Sequence, residues 1–499
     1  MTPWQGRAGL GAIAASLGCF LLTALLGTSV MQPALPGEPG QPPFALDADP
    51  SPYLVIGLVV AGVLLGAGGL ALCFTAVARG WRRRPGPLVV AGVLIAAAFA
   101  FLPPIGSGDH LNYAAYGRMA VTGHDPYATR AVDVPHDPVI GAVEEWRKAP
   151  SVYGPIATAQ EAFAAKIGGD SMRLTVFVMS LINSLAFVLT ALVLWWTSRT
   201  PERRLRTALM WTFNPLLLFH LVAGAHNDTL AIAPMVAALA LFAGGRSLPR
   251  TLGSGALVGA AMAIKLPAGL VGGGPAWVLL ERWQASRDRG TLWRLAALFG
   301  GAGAVVAVTF ALAGPHAFDQ VARAANSVSL ATPWHLVDML LGRGGHRTLI
   351  KIGFVVLLLV LLWMLARALP HDRDADPDTD RSRRIAAALV LAWLFSAPYE
   401  LPWYDGFAWA ALALLARSRF DWLLLAHTAA LSLAYLPARD PELIGLPDGL
   451  SWLVTVVRPV IIPVLTTAIL IALMLECRRR RDHAPAPVRS PRASAGSRG

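Results

Sequence analysis

The sequence predicts an all-α polytopic membrane protein, and three observations carry that prediction. Of its 499 residues, 55% are hydrophobic and only 14% are charged, a balance outside the range of water-soluble domains. The apolar residues gather into runs near the length of about 20 residues that a bilayer-spanning helix needs. Clusters of arginine recur between those runs on one side only.

In chain order the runs lie at about 10–30, 53–78, 88–105, 172–198, 207–224 and 229–244, then about 294–313, 349–369, 385–399, 403–418, 421–436 and 452–475. The shorter ones call for tilted or locally thinned packing. Residues 251–280 have basic flanks and carry Lys265 and Pro267 mid-run. Two short helices meeting at Lys-Leu-Pro fit this stretch, since protein can bury non-helical backbone at membrane depth. The total is then about 14 segments, or about 12 if the piece only re-enters. A misplaced crossing in 314–348 is a third possibility.

Orientation follows from the arginines. Arg79 and Arg82 to Arg84, Arg199 with Arg203, Arg204 and Arg206, Arg282, Arg287 and Arg289, Arg381 with Arg383 and Arg384, Arg417 and Arg419, and Arg478 to Arg481 mark one face. The 31–52 loop has no Lys or Arg and carries Glu38, Asp47 and Asp49. The positive-inside rule puts both termini in the cytoplasm and the loop after residue 105 outside. The first run is read as an uncleaved span because the alternation needs it.

The formal charge of +12 is accounted for by these juxtamembrane arginines and their attraction to anionic lipid. Nucleic acid is not implied, because the basic runs are short and lack interleaved aromatics. Cys19, Cys73 and Cys477 are too scattered for a disulfide framework or a metal cluster. The chain divides into an amino-terminal membrane block, 1–370, holding the external loop 106–171, a charged cytoplasmic linker, 371–384, carboxy-terminal helices, 385–476, and a disordered basic tail, 477–499. No internal repeat of transporter type stands out.

The external loop is the most informative part. Asp109 and His110 follow directly on an apolar helix. Arg118, His124-Asp125-Pro126-Tyr127 and Tyr153-Gly154-Pro155 come after them. LNYAAYGRMAV reads as a short helix. Ile156, Ala159, Phe163 and Ile167 recur at helical spacing, with Gln160, Glu161 and Lys166 off the stripe, so that segment is expected to lie flat on the membrane. Prolines at 126, 135, 138, 150 and 155 favour a compact cap. Transporters keep ionisable machinery near the midplane, whereas an enzyme acting on a lipid headgroup needs it at the water boundary.

Sugar transfer from a lipid needs a carboxylate to take the acceptor's proton and donors to meet charge growing on the leaving phosphate. Asp109 is placed for the first role, although it can equally be a helix-capping aspartate. His110 can bind phosphate or merely occupy the wet interface. A cap that only shields helix ends is the plain alternative for the whole loop.

The run GSGDHLNYAAYGRMAVTGHDPY ending at Tyr127, together with Tyr153-Gly154-Pro155 and Gly224-Ala225-His226-Asn227-Asp228, resembles the actinobacterial polyprenol-phosphate-mannose-dependent alpha-(1→6)-mannosyltransferases, membrane enzymes of the GT-C class. The similarity covers roughly residues 50 to 475. It implies a GT-C architecture with an external first-loop cap. It also implies inverting transfer of mannose from polyprenyl phosphomannose to a mannosylated lipid or alpha-mannan acceptor, on the outer face of the plasma membrane. An early first-loop acid is the usual base in that class, and Asp109 holds the position. Relatives with pyrophosphate donors pair two acids around a divalent metal. His110 follows the aspartate here, so no metal and no cofactor is expected.

Other candidates lie on the same external side. His226, Asn227 and Asp228 can bind donor or acceptor sugar, although Asp228 can also cap the following helix. Lys265, the lone charge in an apolar segment, can grip the donor phosphate or form a helix–helix ion pair. Arg118, Arg323 and His335 are further phosphate candidates. His124, Asp125, Tyr127, Tyr153, Glu400 and Trp403 are candidates for sugar contacts, with an aromatic interfacial belt as the competing account of the tryptophan. The rival functions are transfer of another lipid-linked sugar, a lipid-linked saccharide flippase or transporter, and a non-catalytic scaffold. Sequence leaves acceptor length, the polyprenol and the oligomeric state open.

Overall fold

The computed structural model describes residues 4–319, 327–342 and 344–482, and among these it is all-helical, with no strand. Six helices are long and apolar enough to cross a membrane: Trp4–Leu26, Pro52–Ala78, Met172–Thr197, Arg289–Ala313, Arg347–Ala368 and the composite Asp448–Arg480. Four shorter apolar helices, Gly86–Ala100, Asp228–Ala243, Leu248–Ile264 and Phe420–Ala434, sit among them. The protein is thus a multi-pass membrane protein. Its long helices and the expected runs differ because several crossings combine a short helix with 3₁₀ or π turns.

Local signals set the boundaries. Pro52, Pro201 and Pro377 occupy first helical turns, where the missing N–H costs nothing. Ser171 accepts from the Leu174 amide at 3.1 Å, and Asp288 accepts from Thr291 at 2.7 Å, capping the helices that follow them. Close packing comes from small residues. A Cβ at Gly255 would stand 2.0 Å from the Leu298 carbonyl, and one at Gly259 2.5 Å from that of Ala302. Glycine at this four-residue spacing lets Leu248–Ile264 and Arg289–Ala313 touch backbone to backbone.

The 207–224 run is not one continuous helix. Pro201–Thr207 passes into π turns at Ala208–Thr212 and Leu218–Ala223, and Pro215 interrupts between them. Asn214 recovers the break by accepting from the Leu216 and Leu217 amides at 3.1 and 3.3 Å. Every residue from Leu205 to Thr229 is buried, so this segment is the spine of the molecule. Its end, next to the cap, is the His226-Asn227-Asp228 turn.

Residues 251–280 form the expected hairpin. Leu248–Ile264 and Gly273–Ser286 are joined by a 3₁₀ turn, Leu266–Gly272, with Lys265 at the start of the bend. The charged 371–384 stretch is a lock rather than a spacer. Arg203 pairs with Asp372 at 2.6 Å, Arg381 with Glu281 at 2.8 Å, and Arg282 with Asp378. Its second half is already helix, within Pro377–Ser396. Helix continues to Asp482, so the tail expected from 477 is helical at its start, and its remainder lies outside the described residues.

The 106–171 loop is a compact cap on helices Asp109–Val121 and Pro155–Gly168. Leu111, Tyr113, Ala114, Val139, Ala164 and Met172 share a small core beneath it. On Pro155–Gly168 the apolar stripe faces outward, with Phe163 57% exposed, while Glu161 is fully buried on the opposite face. An outward apolar stripe suits a helix lying on a bilayer.

Candidate active site

Asp109 opens the first cap helix directly after Gly108, and its amide donates to the Ser107 hydroxyl at 3.0 Å. One turn on, the Tyr113 hydroxyl lies 3.5 Å from Asp109 Oδ2 and 3.4 Å from His226 Nδ1. His226 Nδ1 is itself 3.7 Å from Asp109 Oδ2. The imidazole stacks on Trp403, with centroids 3.6 Å apart and planes inclined by 16°. Burial, reinforced by Lys265, holds His226 neutral. Burial also pushes Asp109 up to about 6, an effect that Lys265 opposes and Asp228 reinforces.

Lys265 approaches from the hairpin. Its Nζ donates to both Asp228 oxygens, at 2.7 and 2.8 Å, and lies 4.3 Å above the Tyr404 ring and 5.7 Å from Tyr153. An ammonium has three donors, so one remains for a ligand. Asp228 is fully buried, whereas the Asp109 and Lys265 side chains keep 15% and 11% of their surface exposed.

The Tyr-Gly-Pro motif explains how cap and hairpin meet. The Gly154 amide donates to the Ile264 carbonyl at 3.0 Å. A Cβ at Gly154 would stand 2.2 Å from the Ala263 carbonyl. Only glycine permits this approach, and Pro155 then starts the second cap helix. Tyr153 is thereby held edge-on to Tyr113, centroids 4.9 Å apart, with the two hydroxyls 3.4 Å apart.

The structure thus brings together Asp109, Tyr153, His226, Asp228, Lys265 and Trp403 of the residues named from sequence. Asn227 lies next in the same turn, beside Glu161, whose carboxyl is pushed up to about 8 by burial. Other candidates sit elsewhere. His110 is fully buried with neither ring nitrogen hydrogen-bonded, and burial lowers it to about 3, so it is no cation for a phosphate. Arg118 is nine residues beyond Asp109, about 13 Å along the helix. It is committed to Asp137 at 2.9 Å, Asp170 at 2.5 Å and the Gly169 carbonyl at 3.1 Å, as a staple of the cap.

His124 is bonded to Thr122, Asp125 to His316 at 2.8 Å, and Tyr127 to Thr158 at 2.8 Å, stitching the outer cap together. His335 lies in the Pro333–Leu340 helix, on a separate groove shared with Arg347 and Thr455. Glu400 is buried against His427. Arg323 falls outside the described residues.

Some neighbours of the cleft were not singled out from sequence. Tyr113 had a usable signal, four residues from Asp109 on one helix. Tyr404 borders Trp403 in the same turn. Tyr435 meets Trp403 edge-on at 5.1 Å, and Arg458 lies 5.8 Å from the Tyr435 ring. Glu145 comes against Gly108 and accepts the Asp440 amide at 2.7 Å. Burial pushes it up to about 7. Nothing local in the sequence marks Glu145 or Arg458.

Residues 13–281 match the family described as alpha-(1→6)-mannopyranosyltransferase, N-terminal domain. The chain belongs to this family. It is 29% identical over 345 residues to alpha-(1→6)-mannopyranosyltransferase A of Mycobacterium tuberculosis, 63% of each chain. To alpha-(1→6)-mannopyranosyltransferase A of Corynebacterium glutamicum it is 22% identical over 313 residues, 59% of this chain and 60% of the relative. The chain thus spans somewhat less than two thirds of the length of either relative. Among solved structures, ArnT from Cupriavidus metallidurans bound to undecaprenyl phosphate aligns over 78% of this chain and 76% of that one. Its TM-score is 0.41 with 16% identity, too distant a likeness to define this fold.

Proposed function

We propose that this family member is an inverting glycosyltransferase of GT-C type. It moves mannose from polyprenyl phosphomannose to a mannan or lipomannan acceptor, forming alpha-(1→6) linkages. The site works at the extracytoplasmic face of the plasma membrane, with both termini cytoplasmic, as the arginine distribution supports. The observation that carries this function is the side-chain cluster itself. A partly exposed carboxylate, Asp109, faces a neutral imidazole and a tyrosine on one side, and a lysine with a spare donor stands in the same cluster.

In the reaction, Asp109 accepts the proton of the acceptor hydroxyl as that oxygen attacks the anomeric carbon. The carbon–oxygen bond to phosphate breaks on the opposite face, and polyprenyl phosphate leaves. Lys265, steadied by Asp228, meets the negative charge that develops on the phosphate through its remaining N–H. Tyr113 and His226 orient the Asp109 carboxylate, and the faces of Tyr153 and Tyr404 receive sugar. A monophosphate leaving group asks for no more than this cation, so transfer is expected to proceed without a divalent metal.

The test is mannose transfer from purified polyprenyl phosphomannose to a short alpha-mannoside in EDTA, comparing wild type with folded Asp109→Asn. The expected result is wild-type turnover and a loss on the order of 10²- to 10⁴-fold in the variant. Equal turnover would remove Asp109 from the mechanism. Activity restored only by magnesium would sink the metal-free step. No transfer under any condition would favour another donor or lipid-saccharide transport.

A further inference from the structure

One imidazole below the cleft ties both ends of the turn that forms its aromatic wall. The turn begins at Glu400, presents Trp403 and Tyr404 from the 3₁₀ segment Pro402–Tyr404, and ends at Asp405, the first residue of helix Asp405–Ala413. His427, on helix Phe420–Ala434, places Nε2 3.5 Å from Glu400 Oε2 and Nδ1 3.1 Å from both Asp405 oxygens. Thr428 donates to Asp405 at 2.5 Å and accepts from the Trp409 indole at 2.8 Å. Glu400, Asp405 and His427 are all buried.

Stability alone does not explain such a group. Burying two carboxylates and a histidine costs more than filling the same space with apolar side chains, even when they pair. What the cluster adds is fixed geometry at the two residues that support the reacting groups. Trp403 backs the His226 ring beside Asp109, and Tyr404 lies under the Lys265 ammonium.

We infer that His427 is a positioning residue for the transfer site: bridging Glu400 and Asp405, it locks the Glu400–Asp405 turn so that His226 and Lys265 keep their places around the substrate. It touches no substrate itself. This rests on the transferase reading above, and it adds to that reading a control point on a different helix, below the cleft.

The experiment measures donor and acceptor kinetics for His427→Phe, Glu400→Ala and their double variant in the same assay, with thermal stability and the folded fraction determined for each. A misplacement of about 1 Å at a reacting centre costs on the order of 100-fold. Each single variant should therefore lose about that much in kcat/KM, with a rise in donor KM as Lys265 loosens. The double variant should be no worse than the singles, because both remove one device.

A role confined to folding would lower the folded fraction and leave KM unchanged in the molecules that remain, and that result would overturn the inference. Additive losses in the double variant would also overturn it. So would one equivalent of bound metal in the wild type that disappears in His427→Phe, since the three side chains bring ligand-type atoms within 4.8 Å of one another. Glu400→Ala keeps the test available if His427→Phe does not fold. Failure of the wild type to transfer mannose would strike the transferase reading instead.

Discussion

Two ion pairs at opposite ends of the membrane domain separate a site from a strut. Near the arginine-marked face, Arg206 spends its donors on Asp421, at 2.8 and 3.2 Å, and on the carbonyls of Leu412 and Leu415, at 3.1 and 3.0 Å. Both partners are nearly inaccessible and both belong to helix ends. At the other end Lys265 meets Asp228 with two of three donors, beside aromatic faces and partly exposed. The guanidinium is saturated by protein. The ammonium is not, and a compact charge on a flexible stem is the better choice for a group that must turn to a ligand.

Substitution should part the two pairs. Lys265→Met also strands a buried carboxylate, Asp228, and so costs stability too, but in the molecules that fold it should lower transfer on the order of 10²- to 10³-fold, the scale of a lost donor to developing charge. Arg206→Met strands the buried Asp421 carboxylate and should cost about 3–5 kcal/mol of stability, with normal kinetics in whatever protein folds. Melting temperature and single-turnover rate, measured on both, decide the matter. A Lys265 variant that loses stability but not rate would make that pair a strut as well.

A second contrast lies within the cap, between its glycines. Gly123 has open space where a Cβ would go and is held to glycine by its φ of +84°, whereas a Cβ at Gly154 would meet the Ala263 carbonyl at 2.2 Å. Gly154→Ala must push the cap from the Lys265 hairpin and carry Tyr153 with it. The expected loss in kcat/KM is about 10- to 100-fold. An unchanged rate would show that the cap and hairpin tolerate separation.

Much of the fold was legible because the membrane imposes simple rules. Apolar length and the Lys-Leu-Pro bend each carry their own local cause. The 207–224 run was read as one span because its apolarity hides two π turns. Asn214 and Pro215 mark the break, but apolarity outweighs them in any window.

The candidate site was legible where its residues are adjacent in sequence. Asp109 and the His-Asn-Asp turn are of that kind. Arg118 and His110 were misleading because residue type cannot reveal what a side chain already holds. Arg118 is spent on Asp137 and Asp170, and His110 lies in the interior. Glu145 enters the neighbourhood beside Asp440, 295 residues further along the chain, and Arg458 through the Tyr435 ring, pairings that no local pattern encodes.

The smallest expected effect tests how finely the cleft tunes its base. Asp109 acts as a carboxylate, so transfer should fall about tenfold per pH unit below an inflection near the value of about 6 to which burial raises it, and level off above. The Tyr113 hydroxyl donates to that carboxylate over a long 3.5 Å and favours its charged form. Removing the hydroxyl in Tyr113→Phe should therefore move the inflection upward by less than about one unit, since a long hydrogen bond carries no more than about 1 kcal/mol. At neutral pH, above both inflections, the rate would drop by less than about twofold. An inflection that stays in place while the plateau falls would assign Tyr113 to the sugar rather than to the base, and one that moves downward would place the titrating group elsewhere than Asp109.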